Sequence, residues 1–276
     1  MHQAILDTLR TPSLPAVVAR LNALLVDPDV GIAEVADAVA EDPSTAAMVL
    51  RVANSATYGL RETARDIRSA AMVLGIRELQ NIVMRVAVIQ GFAHLPDDDD
   101  FDLGEVWVHS ILTAQVVQAL ARKLRGSLPL APEEMYSCGL LHDLGKVVLF
   151  DNFRERYVEV LIEARNSGKP TWECEVEAFG FSHPQVGGVV AFLWALPGEI
   201  EAAIDHHHGS EAQITSDPVV SATVLADQIA KRVQAFNVPG SSELALHPAA
   251  RALGLDETAL AEVVERAVEL LPAIEV

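Results

Sequence analysis

Six of the nine histidines, His109, His142, His183, His206, His207 and His208, fall between positions 109 and 208. Two aspartates accompany them, Asp143 directly after His142 and Asp227 in the run Leu225-Ala226-Asp227. Imidazole with carboxylate is a ligand set for zinc, manganese or iron, and its hard oxygen donors turn it away from copper. His2, His94 and His247 stand apart from the group.

Each member alone has an ordinary explanation. His109 shares a helical face with Leu112, Thr113 and Val116, where a single histidine satisfied by one hydrogen bond is a common core residue. Asp143 lies at helical spacing from Leu140 and Val147, and a buried carboxylate is costly without a positive partner. Lys146, three residues on, offers that partner as a plain ion pair. Asp227 has the same alternative in Lys231, four residues later. Coincidence weakens as members are added, so convergence on one centre is the chemical reading of the set. Cys138 and Cys174 read as small apolar packing positions rather than nucleophiles or redox sensors.

The run Gly139-Leu140-Leu141-His142-Asp143-Leu144-Gly145-Lys146 resembles the signature helix of the HD superfamily of metal-dependent phosphohydrolases. That resemblance implies a metal held by an upstream histidine, the His-Asp pair and a downstream aspartate, here His109, His142, Asp143 and Asp227. The branch acting on cyclic dinucleotides adds a lysine, a further histidine and a His-His step. The candidates are Lys146, His183 and two of His206 to His208, with the preceding Ile204 favouring His207 and His208. Upstream, Asp42-Pro43, Leu50, Ala53-Asn54-Ser55, Tyr58-Gly59, Ala71 and Leu74-Gly75 resemble the HDOD domain, an HD-related output domain of bacterial signalling proteins. His109-Ser110, His183 to Gly187 and Trp194 to Pro197 match it as well, so the likeness covers residues 12 to about 210 and extends weakly to Asp227.

What this resemblance implies is a non-catalytic regulatory module acting through protein or small-ligand contacts, because most such domains keep incomplete ligand sets. This chain keeps more candidate ligands than a degraded site needs. The expected cofactor is one or two divalent ions, iron, manganese or zinc, and none if the ligands fail to converge. The alternative is an HD-type phosphohydrolase acting on a nucleotide or other phosphoester, with Lys146 as the catalytic group neutralising charge on a phosphoryl oxygen. After His208 the sequence continues Gly209-Ser210-Glu211, without the Gly-Tyr-Pro element of the cyclic-dinucleotide branch. The expected partner is a signalling protein, with a small phosphorylated ligand as a further expectation. Asp42, Asn54 and Ser55 make a family-motif surface that also has local explanations. Asp42 precedes Pro43 as a helix cap, and Asn54 and Ser55 end that helix and bind an adjacent loop.

The elements that must carry these groups read as helices almost throughout. Half of the 276 residues are hydrophobic but 5% aromatic, so the core must be built from Ala, Val, Leu and Ile. Ile32, Val35, Ala36 and Val39 show the helical period. Helices are predicted over about 2–9, 15–26, 32–41, 43–55, 66–73, 76–92, 104–125, 133–150, 153–166, 172–179, 183–194, 198–207, 218–235 and 256–270. The fold class is all-α, with two packed helical lobes, the second HD-domain-like. Residues 1–96 form the N-terminal lobe, 97–236 the HD-like lobe and 237–276 a helical tail packed on the domain. Leu95-Pro96 and the four acids Asp97 to Asp100 mark an exposed seam.

Twenty Lys and Arg against 39 Asp and Glu give a net charge of −19, which repels nucleic acids and anionic membranes at long range. A bound metal would reverse that sign locally. Residues 178–198 lack acidic and basic side chains, but Ser182, His183, Pro184, Gln185 and Pro197 interrupt them, leaving too short a run to span a bilayer. Two cysteines and no signal-peptide pattern lead to a cytoplasmic expectation. No oligomeric state follows from the sequence.

Overall fold

The computed structural model describes residues 2–27, 29–55, 58–96, 98–235 and 244–274. Its helices are α1 (His2–Leu6), α2 (Ala16–Leu24), α3 (Ile32–Ala40), α4 (Pro43–Ala53), α5 (Ile67–Leu74), α6 (Ile76–Gly91), α7 (Leu103–Lys123) and α8 (Pro132–Leu141). They continue as α9 (Leu144–Ser167), α10 (Thr171–Phe179), α11 (His183–Leu193), α12 (Gly198–His206), α13 (Glu211–Ser216), α14 (Pro218–Gln234), α15 (Pro248–Ala252) and α16 (Glu257–Leu270). Among the described residues there is no strand, and no helix is long and apolar enough to cross a membrane.

The chain divides into two compact units. One comprises Leu14–His94 with the chain end from Ala273; the other comprises the chain through Ser13 and Leu95–Pro272. In the first, α2 to α6 close over an aliphatic core that includes Val18, Leu21, Val39, Val49, Ile82 and Val83. The motif residues here act locally. Asp42 accepts from Ser44 N at 3.0 Å and from Thr45 Oγ1 at 2.7 Å, capping α4 ahead of Pro43. Asn54 Nδ2 donates to Ala64 O at 2.9 Å while its Oδ1 accepts from Ala64 N at 2.8 Å, tying the following loop to the end of α4. The Ser55 hydroxyl is buried and makes no hydrogen bond among the described residues. Gly75 turns α5 into α6 at φ 88°, a region only glycine enters without strain.

In the second unit α7 is buried on most of its faces and packs against α8, α14 and α16, while α11 packs on α9 and α12. Two glycines set the closest approaches. A Cβ on Gly139 would lie 2.5 Å from Ala114 Cα of α7, and one on Gly145 would lie 1.9 Å from His183 O at the start of α11. They flank the His142-Asp143 pair and let the helices bearing its partners close in.

Several expectations change. The predicted helix 133–150 is two helices: α8 ends at Leu141 and α9 begins at Leu144, with Asp143 at φ −98°, ψ 6° between them. Apolar spacing runs in phase across this junction, so periodicity cannot register it. The break expected between 150 and 153 is only a kink within α9, at Phe153 (φ −134°, ψ 36°). Two short helices, α13 and α15, were not predicted, although Ser210 with Gln213 is a capping box for α13. Residues 2–13 pack with the C-terminal unit rather than with the N-terminal lobe, because Ile5 and Leu9 are buried there and the strap is pinned at two points. Arg10 exchanges two hydrogen bonds with the Asn152 side chain (2.8 and 3.0 Å), and Trp194 Nε1 donates to Pro12 O at 2.9 Å. Of the acidic seam, Asp97 lies outside the described residues. Asp98 pairs with Arg154 at 3.5 Å and Asp100 with Arg165, while Asp99 is exposed. In the tail, residues 237–243 lie outside the described residues, and α15 and α16 pack on α14.

Candidate metal centre

Six helices and their ends deliver the predicted ligands to one place. His109 comes from mid-α7, His142 and Asp143 from the α8–α9 junction, His183 from the first turn of α11, His207 and His208 from just beyond α12, and Asp227 from α14. His109 Nε2 lies 3.0 Å from Asp227 Oδ1 and 3.3 Å from His142 Nε2, which is 3.5 Å from the same aspartate oxygen. These three form a first nest. Asp143 Oδ2 borders it, 3.4 Å from His142 Nε2 and 3.8 Å from His109 Nε2.

The other oxygen of Asp143 faces a second nest. Oδ1 lies 3.3 Å from His183 Nε2 and 3.6 Å from His207 Nε2. His208 completes this group, with ring nitrogens of His183, His207 and His208 within 4.8 Å of one another. His206 does not join it: its ring is part-exposed and lies 3.6 Å from Asp205. Of the three consecutive histidines, His207 and His208 are therefore the two that converge. The family-motif residues Asp42, Asn54 and Ser55 belong to the other unit.

The tautomers follow from the partners of the outer ring nitrogens. His142 Nδ1 meets Gly139 O at 2.8 Å and His207 Nδ1 meets Ile204 O at 2.7 Å. A carbonyl oxygen only accepts, so each Nδ1 carries the proton and each Nε2 presents a lone pair. His109 Nδ1 faces the amide oxygen of Gln234 at 2.8 Å, and His183 Nδ1 faces Glu175 Oε2 at 2.7 Å. His142 and His207 thus turn lone pairs toward the carboxylate oxygens of the site. Asp143 Oδ1, His183 Nε2 and His207 Nε2 are buried and without a hydrogen-bond partner, an expensive arrangement for polar atoms unless a cation joins them. Outer-nitrogen hydrogen bonds of this kind also orient metal-binding histidines.

Charges in the site support the same reading. Burial pushes the Asp143 carboxyl up, but the His142 ring, the Lys146 ammonium 2.6 Å away, and His183 and His207 outweigh it and hold the group well below the ordinary carboxylate range. For Asp227 burial is likewise outweighed, chiefly by Lys231 at 2.7 Å and by His109 and His142. Burial drives His207 down to about 4 and also lowers His208, keeping both rings neutral and able to ligate. His183 moves the other way, because the Glu175 carboxylate outweighs burial. Both lysine pairs considered as ordinary alternatives exist, and they coexist with the convergence rather than replace it.

Sequence reasoning missed Glu175 and Gln234. Glu175 is fully buried on α10, accepting from Tyr157 Oη at 3.0 Å and from His183 N at 2.7 Å as well as facing the His183 ring. Its place beside buried Cys174 was the one available signal. A cleft of about 830 Å³ reaches the centre, lined by His109, Asp143, Lys146, Lys231 and Gln234, by aliphatic Val106, Val108 and Leu161, and by Asp100, Asp102 and Glu105.

An all-α fold carrying an HD-type histidine–aspartate cluster narrows the class, and comparison with known proteins gives the family. The profile of the HDOD domain matches residues 11–210, and the chain belongs to that family. An HDOD domain protein with unknown function from Geobacter sulfurreducens superposes with a TM-score of 0.83 at 26% identity, covering 99% of this chain and 95% of that one. A Shewanella amazonensis protein whose name proposes a phosphohydrolase has the same fold (TM-score 0.79, 24% identity, 99% and 98% covered). Among curated proteins, an uncharacterized protein of Treponema pallidum (strain Nichols) is 24% identical over 217 residues, 78% of this chain. The chain spans about two fifths of the length of that relative, 41%.

Proposed function

We propose that this HDOD protein is a metal-bound regulatory module that takes a small phosphorylated ligand at its centre and transmits occupancy to a signalling partner by contact. The observation that carries the reading is the set of buried donors around Asp143 that have no hydrogen-bond partner among the described residues, with Asp143 itself lining a cleft that holds two lysines. His109, His142, Asp143, His183, His207, His208 and Asp227 would hold one or two divalent ions, iron, manganese or zinc. Such an ion supplies Lewis acidity, polarising a phosphoryl oxygen and bringing the pKa of water from ~15.7 toward ~7. The chain's own part is to orient and to balance charge. Gly139 O, Ile204 O, Gln234 and Glu175 fix the four rings, and Lys146 and Lys231 present ammonium groups to the cleft beside the site. Asp100, Asp102 and Glu105 in the lining disfavour a polyanion and suit a ligand with one compact phosphate.

Elemental analysis of protein prepared without a histidine tag or chelator tests this. Stoichiometric metal, lost in Asp143→Ala, is the expected result; metal-free wild-type protein that also fails to take up added manganese rejects it. A second reading, turnover of phosphoesters, is favoured by the complete ligand set and by Lys146 in an accessible cleft. Hydrolysis of an activated phosphodiester by manganese-loaded protein, abolished in Asp143→Ala, would convert the module into an enzyme. Metal without hydrolysis leaves the regulatory reading in place.

A further inference from the structure

The two nests are unequal in charge. In the first, each carboxylate already carries an ammonium: Lys146 sits 2.6 Å from Asp143 Oδ2, the oxygen that borders this nest, and Lys231 sits 2.7 Å from Asp227 Oδ2. The Asp227 charge is thus matched by Lys231 within this nest before any metal arrives, while the Asp143–Lys146 pair is shared by both nests. A cation entering here is repelled by both lysines or must displace Lys146 to use Asp143 Oδ2.

The second nest has the opposite surroundings. Asp143 Oδ1 is free of any hydrogen bond. Behind His183 stands Glu175, fully buried and with no lysine or arginine ion pair among the described residues. Its two oxygens accept from Tyr157 Oη, from the His183 main-chain N–H and from the His183 ring. His183 opens α11, and the positive end of that helix would oppose a cation. Glu175 takes up the N–H there and offsets it. Through the His183 ring it adds electron density at Nε2, as carboxylate partners do for metal-binding histidines.

We propose that the centre loads in order, with His183, His207, His208 and Asp143 Oδ1 as the tight cation site made so by Glu175, and His109, His142 and Asp227 as a weaker, exchangeable site restrained by Lys231. Glu175 is then a positioning residue, and the exchangeable site is where metal supply and ligand occupancy meet. The inference rests on the metal reading above and adds the order and its cause.

The test is calorimetric titration of the full, metal-stripped chain with Mn²⁺ alone, paired with anomalous diffraction from crystals given one equivalent of Mn²⁺. Two classes separated by at least about tenfold are expected, with the single-equivalent peak between His183 and His207. Glu175→Gln should weaken the tight class by about 10–100-fold, as loss of such outer partners does, and leave the weak class within about threefold. Lys231→Met should tighten the weak class alone. A one-equivalent peak between His109 and Asp227 overturns the inference. So does a pair of classes that Glu175→Gln leaves untouched, and in both cases the metal reading stands. No Mn²⁺ binding at all overturns both. The diffraction arm uses wild-type protein and decides the order even if Glu175→Gln fails to fold.

Discussion

Ser55 apart, whose buried hydroxyl has no partner among the described residues, the two units treat their polar motif residues in opposite ways. Around α4, Asp42 and Asn54 find hydrogen-bond partners within eleven residues of themselves, Ser44 and Thr45 for one and Ala64 for the other. Around the α8–α9 junction, Asp143 Oδ1, His183 Nε2 and His207 Nε2 are buried and left open. A polar residue that serves folding closes its hydrogen bonds inside the protein. One that serves a ligand is held in place through one atom and keeps another unsatisfied, a cost folding alone would not retain. His183 shows both halves, with Nδ1 on Glu175 and Nε2 without a partner.

This contrast can be broken by substitution. The largest effect is expected from Asp143→Ala, which removes the residue common to both nests and should take metal content to background by elemental analysis. Gly145→Ala follows, because its methyl would fall 1.9 Å from the His183 carbonyl, backbone against backbone. A cost of about 3 kcal/mol, at the upper end for overpacking, should appear in urea unfolding together with weakened metal binding. Asn54→Ala removes two hydrogen bonds to Ala64 and should cost about 2 kcal/mol in the same measurement with metal content unchanged. If metal fell as well, the division of roles would be wrong.

Smaller effects sharpen the comparison. The Asp42 carboxyl lies below its ordinary value of 3.8, mainly through the Thr45 hydroxyl and despite slight desolvation. A folded-state pKa depressed in this way adds stability above the unfolded value and loses it as pH falls through the folded one. As pH falls below the ordinary carboxylate value, Asp42→Asn should therefore lose less unfolding midpoint than wild type through this residue, compared in metal-free protein. Cys138 is fully buried and burial pushes its thiol up, so native protein should resist iodoacetamide at neutral pH and react only when unfolded. Rapid native labelling would remove it from the core.

How much of this was legible depended on the kind of information. Aliphatic periodicity announced nearly every long helix, and Asp-Pro or Ser-x-x-Gln pairs marked where α4, α11 and α14 begin. The seven converging residues were legible from residue type and family resemblance. Their partition into two nests was not, since it depends on which oxygen of Asp143 faces which ring, a matter of tertiary packing. Glu175 stayed hidden because α10 also carries Glu173 and Glu177, and spacing does not tell a buried acid from its solvated neighbours. The gap at His142-Asp143 was invisible because its flanking helices keep a common apolar phase.

The strap at the chain's start has a consequence for synthesis. Residues 2–13 belong to the unit that resumes only at Leu95, so Leu14–His94 is an insertion within the fold that encloses the centre. Arg10 must wait 142 residues for Asn152, and Pro12 must wait 182 for Trp194. At ~5–20 residues per second of translation, the strap stays undocked for roughly 7–36 s after it is made, through the emergence of the whole inserted unit. The unit of Leu14–His94 can close while the chain is still being made, whereas the unit with the candidate centre closes only when the strap meets partners made much later.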